Sequence, residues 1–137
     1  MNVTDGAPRI LVVDDDAAVR RFAEAAFRDS AYEAMVVADG DTALAFVARQ
    51  QRPFDLFVLD LMMPSMRGDE LAASLRRTDP DVKVLYLTGF ADQLFREKGI
   101  LWEHEAFLEK PVGVTALMEA VSLLLYGHTN GPEHAAR

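Results

Sequence analysis

Cysteine is absent from the 137 residues, which excludes structural disulfides, thiolate metal sites and thiol nucleophiles. The lack of disulfides fits a reducing compartment, and a cytoplasmic location is the expectation. Tryptophan occurs once and histidine three times. His104, His128 and His134 lack metal-ligand spacing, so surface positions are expected for all three. Basic residues are the minority: 14 Lys and Arg against 22 Asp and Glu leave a net charge of −8. That balance argues against a nucleic-acid-binding face. No stretch approaches the roughly 20 apolar residues of a membrane span. The opening MNVTDGAPR holds no apolar run of the kind a secretory signal needs.

What is present is a core. Half of the residues are hydrophobic, enough for one domain without staples. Residues 8–126 read as that domain, between flexible tails at 1–7 and 127–137. β-rich runs fall at 10–13, 32–38, 56–60, 82–87 and 106–108, and helical spacing falls at 17–29, 41–50, 69–77, 91–98 and 112–126. Asp41 is the expected cap of the second helix, and Gly68 is expected to serve a turn. Strict β–α alternation predicts a doubly wound α/β fold with a five-stranded parallel sheet. The flavodoxin-like order 2-1-3-4-5 is the expectation, with its switch point between strands one and three.

Acidic residues stand at that switch point. The run ILVV ends in Asp14, Asp15 and Asp16, and LFVL ends in Asp60. Like charges so close repel unless something neutralises them. A hard divalent cation with oxygen ligands does so most simply, and Mg²⁺ needs few protein ligands. Asp16, nearest the first helix, is expected only to cap it. Thr88 and Lys110 end the fourth and fifth strands, so a hydroxyl and an ammonium project over the same edge. Both suit phosphoryl oxygens, and an Asp carboxylate can act as a nucleophile toward phosphorus.

Four stretches, ILVVDDD (10–16), LFVLDLMMPSMRGDEL (56–71), VLYLTG (84–89) and AFLEKP (106–111), together resemble the response-regulator receiver domain of two-component signalling. The resemblance covers about residues 8–126. It implies a phosphorylation switch rather than an enzyme, one that assists its own phosphorylation and dephosphorylation. Asp60 would accept a phosphoryl group from a phosphohistidine on a histidine kinase or histidine phosphotransfer protein. Asp15, Asp60 and the Met62 backbone carbonyl would ligate Mg²⁺, with Mn²⁺ as a substitute, and Asp14 would act through a metal-bound water. Lys110 would pair with the phosphoryl oxygens, and Thr88 would swing to hydrogen-bond them. Phe107 would turn inward after Thr88. The Lys110–Pro111 bond would be cis. The output would be altered binding at the face of the fourth helix, fifth strand and final helix, compatible with a homodimer and with an unnamed downstream protein. A stand-alone receiver and one cut from a larger kinase or regulator both fit.

Other readings are weaker. A flavin module of this topology needs a phosphate cradle after the first strand, where three acids stand and no glycine. A phosphohydrolase needs a second acid near the nucleophile, where Met62 stands. A pseudo-receiver that only binds partners would not keep the acidic set. Met62 and Phe90, two residues after Asp60 and Thr88, cannot orient water, so a long-lived phosphorylated Asp60 is expected, shortened by Met62→Asn with Phe90→Glu. Leu123, Leu124 and Leu125 in the final helix suggest either a partner patch with Phe90, Phe95 and Trp102 or a dense core end.

Overall fold

The computed structural model of the chain describes residues 6–89 and 104–127. Five strands, β1 (Arg9–Val13), β2 (Glu33–Val37), β3 (Leu56–Asp60), β4 (Val84–Thr88) and β5 (Glu105–Glu109), form one sheet in the order β2-β1-β3-β4-β5. All four pairings are parallel. Among the described residues the helices are α1 (Ala17–Arg28), α2 (Gly40–Arg49), α3 (Gly68–Thr78) and α4 (Val114–Tyr126), the last being the final helix of the sequence reading. The expected 2-1-3-4-5 topology is the observed one. The predicted helix at 91–98 lies outside the described residues, as do Phe90, Phe95, Trp102, His128 and His134.

β1, β3 and β4 are buried along their whole length, because helices cover both faces of the sheet. That is why these strands read as unbroken apolar runs rather than alternating ones. Leu11, Val13, Leu59 and Tyr86 point into a core with α2 and α3, through Ala43, Leu71 and Leu75. Ile10, Val12, Val58 and Leu87 point to the other face, against Phe27 of α1 and Leu117 and Val121 of α4. Each fully buried aliphatic side chain contributes about 1.5–3 kcal/mol over an exposed one, so the two half-cores hold the strand ends in register.

Local chemistry sets the helix ends. Asp16 caps α1, its Oδ1 accepting from the Ala18 N–H at 2.8 Å. The cap of α2 is Asp39, not Asp41: its Oδ1 accepts from the Thr42 N–H at 2.7 Å, and Gly40 already belongs to the helix. Asp41 instead lies in the first turn, where a negative charge suits the positive helix end. Gly127 closes α4 in a left-handed conformation (φ 77°), its N–H donating to Leu123 O at 2.8 Å. The leucine run divides: Leu123 is 51% exposed, while Leu124 and Leu125 pack against the core.

Gly68 does more than serve a turn. It opens α3, and a Cβ there would meet the Asp60 carbonyl carbon at 3.0 Å and its oxygen closer still. The residue must be glycine for space, so that α3 can start directly against the end of β3.

Candidate functional site

The carboxyl ends of β1, β3, β4 and β5 bring the sequence-selected side chains together. Asp14 follows β1 and is fully buried, Asp60 ends β3 and is 5% exposed, and Asp15 faces solvent. One carboxylate oxygen from each of these three lies within 4.8 Å of the others. Lys110, the residue after β5, places Nζ 3.1 Å from Asp14 Oδ2 and 3.4 Å from Asp60 Oδ1. Its backbone N–H donates to Thr88 O at 2.8 Å, and the bond to Pro111 is cis. Thr88 is buried at the end of β4, in register beside Glu109 of β5. Phe107, opposite Tyr86 in that ladder, is half-buried against the core shared with α2 and α3.

Charge compensation here is incomplete. Burial is the main cause that raises the Asp60 pKa to about 7, aided by a hydrogen bond with Asp15 and the charge of Asp14. Lys110 and the Met62 N–H, which donates to Asp60 Oδ1 at 3.3 Å, oppose the rise. At Lys110 burial alone would lower the pKa, but Asp14 and Asp60 outweigh it and raise it. Asp14 Oδ1 accepts from the Asp16 N–H at 2.9 Å. Asp14 Oδ2 is fully buried, and the Lys110 ammonium 3.1 Å away is its charge-assisted partner. One ammonium faces three carboxylates, so negative charge stays in excess, and an added cation would offset it.

Three carboxylates whose oxygens converge within 4.8 Å are hard oxygen donors of the type Mg²⁺ takes, so the donor set fits such an ion. Sequence reasoning missed two arginines. Arg20 of α1 donates through Nη1 to the Asp14 carbonyl at 2.8 Å. Arg67, at the start of α3, forms a fork with Asp69, with Nε to Oδ1 at 3.0 Å and Nη2 to Oδ2 at 3.3 Å. A donor-only residue at a helix N-cap was the signal that could have drawn attention to Arg67. His104, expected at the surface, is half-buried with φ 71°, and its carbonyl accepts from the Val84 N–H. An apolar cleft of about 420 Å³ lies beside the acids, lined in part by Val19, Phe22, Leu87, Lys110, Pro111 and Val112.

A family model described as the response regulator receiver domain matches residues 10–122. The chain belongs to that family. The receiver is 32% identical over 117 residues to the response regulator receiver protein CpdR of Brucella abortus, covering 85% of this chain and 96% of CpdR. It is 38% identical over 117 residues to the response regulator MprA of Mycobacterium leprae, covering 85% of this chain but half of MprA. Among solved structures it is similar to the response regulator TrrA of Thermotoga maritima in complex with Mg(2+)-BeF. The TM-score is 0.73 and the identity 30%, over 86% of this chain and 99% of TrrA. The chain is thus a receiver domain of two-component signalling, a family of switches. Among the described residues no helix is long and apolar enough to cross a membrane.

Proposed function

We propose that this receiver takes a phosphoryl group on Asp60 from a phosphohistidine of a histidine kinase or phosphotransfer protein. The observation that carries the reading is Lys110 Nζ, 3.4 Å from Asp60 Oδ1 in a pocket with Asp14 and Asp15. An Asp60 carboxylate oxygen bonds to phosphorus as the phosphorus–nitrogen bond breaks, and the leaving imidazole takes up a proton. Mg²⁺, held by Asp14, Asp15, Asp60 and the Met62 carbonyl, would offset the charge of the phosphoryl oxygens. Lys110 then turns from Asp60 to those oxygens, and Thr88 donates its hydroxyl to them. Movement of Thr88 frees space toward which Phe107 packs. This biases a two-state equilibrium of the face that includes β5 and α4. The apolar cleft beside Lys110 offers the donor protein a surface next to the acceptor. TrrA, solved with magnesium and a beryllium fluoride, supports the metal and phosphoryl assignment.

The test is acetyl phosphate or beryllofluoride with and without Mg²⁺. Intact mass reports the phosphoryl adduct, and the fluorescence of Trp102 reports beryllofluoride binding. The expected response requires Mg²⁺ and vanishes in Asp60→Asn. Mg²⁺ binding without any adduct, with the cognate donor also supplied, would instead mark a partner-binding domain that does not accept phosphate.

A further inference from the structure

The start of α3 breaks a local rule. Helices begin best on a side chain that accepts from their exposed N–H groups, and Asp16 and Asp39 do so for α1 and α2. At α3 the position holds Arg67, whose guanidinium has five donors and no acceptor. Glu70 reaches back instead, its Oε1 accepting from the Arg67 N–H at 3.0 Å. Local rules are broken most often where function demands it. The Arg67 side chain has such an engagement. Its two-point fork on Asp69 fixes the plane of the guanidinium, and the remaining arm, Nη1, lies 3.4 Å from Met62 Sδ.

Two features place this contact at the acceptor. Met62 stands two residues beyond Asp60, and its N–H is bonded to the Asp60 carboxylate. The missing Cβ of Gly68, the residue after Arg67, lets α3 start directly against the end of β3. The Arg67 and Asp69 side chains are only 26% and 23% exposed, so solvent competes weakly for their fork. Met62, in contrast, is 37% exposed. An unbranched thioether at the surface would sample many rotamers unless something held it.

We propose that Arg67, locked by Asp69, is a positioning residue that holds the Met62 side chain as an apolar flank of the Asp60 pocket and so prolongs the phosphorylated state. The inference rests on the phosphoacceptor reading above. In the step it slows, a water oxygen bonds to phosphorus while the bond from phosphorus to the Asp60 oxygen breaks. The products are the Asp60 carboxylate and inorganic phosphate, and the water's protons go to the phosphate and solvent. A thioether held in place offers no hydrogen bond to aim that water, and it occupies part of the approach. A released one leaves the approach open for much of the time.

The experiment compares the wild type with Arg67→Ala, Arg67→Lys, Asp69→Asn, Met62→Ala and the Arg67→Ala/Met62→Ala double variant. Each is charged with acetyl phosphate and Mg²⁺, freed of donor, and followed by intact mass. Release of Met62 by either arginine variant or by Asp69→Asn is expected to speed loss of the adduct about fivefold. In the Met62→Ala background, Arg67→Ala should add nothing further. Unchanged lifetimes, or the same acceleration with and without Met62, would overturn the proposal. A second readout needs no phosphorylation: ¹³C-methyl methionine relaxation in the unphosphorylated protein. The Met62 methyl should be restrained in the wild type and rotamer-averaged in Arg67→Ala and Arg67→Lys. Equal mobility in all three would overturn the clamp. If the wild type takes no adduct, the phosphoacceptor reading fails, and the relaxation data still decide the clamp.

Discussion

Replacing Asp60 by Asn should make the metal-free protein more stable, and only above a defined pH. The folded-state pKa of Asp60 is about 7, against about 3.9 for an unfolded aspartate. Between these values the folded chain keeps a proton that the unfolded chain has released, so stability falls as pH rises from about 4 to 7. Above pH 7 the loss is complete. The gap corresponds to at most about 4 kcal/mol at 1.36 kcal/mol per unit. Asn is nearly isosteric and uncharged, but it presents an amide to Lys110 and remains a buried polar group. About half of the gap, roughly 2 kcal/mol, is therefore the expected gain at pH 8. For a chain of this size that is a rise in Tm of about 6 °C. Urea titrations in EDTA at pH 8 and pH 4.5 measure it, and at pH 4.5 the two proteins should nearly coincide. Saturating Mg²⁺ should reverse the order, because the wild type gains binding energy that the variant largely lacks. A variant no more stable than wild type at pH 8, or an advantage independent of pH, would refute the reasoning.

Three further outcomes follow from the packing around the site. Gly68→Ala should cost about 2–3 kcal/mol, because its Cβ meets the Asp60 backbone rather than a yielding side chain; urea midpoints check this, and weaker Mg²⁺ binding should accompany it. Below Thr88 and Phe107, Tyr86 donates to Glu105 Oε2 at 2.9 Å and Arg76 pairs with the same oxygen, while burial and Glu105 push the Tyr86 pKa above the usual phenol range. Tyr86→Phe should cost about 1 kcal/mol for one hydrogen bond. Glu105→Ala should cost about 3 kcal/mol, because it removes the buried carboxylate that Tyr86 and Arg76 share. Equal losses in the two variants would contradict this reading.

Much of the molecule was legible as a string of residues. Apolar runs at 10–13 and 56–59 read as strands buried on both faces, and their alternation with helical spacing left few topologies. Runs that end in Asp14 and Asp60 placed acid at the switch point, and ILVVDDD, LFVLDLMMPSMRGDEL, VLYLTG and AFLEKP carried the family resemblance. Capping was legible where an Asp precedes a helix, as at Asp16, and ambiguous where two stand close together. Asp39 and Asp41 flank Gly40, and only the first has the extended backbone that a cap requires.

The tertiary structure decided what depends on distance. Sequence order could bring Lys110 to the acids, but not set it nearer Asp14 than Asp60, because that depends on how β5 lies beside β4. It could not show that Asp14 is fully buried while Asp15 faces solvent, since solvation is a property of the assembled pocket. Nor could it separate Gly68 as a turn residue from Gly68 as a space for the Asp60 carbonyl. Arg67 reaches Met62 and Asp69 together only because α3 starts against the end of β3. Periodicity along the chain encodes which face a residue takes, whereas the approach of two loops and the solvation of a charge arise only when the elements pack.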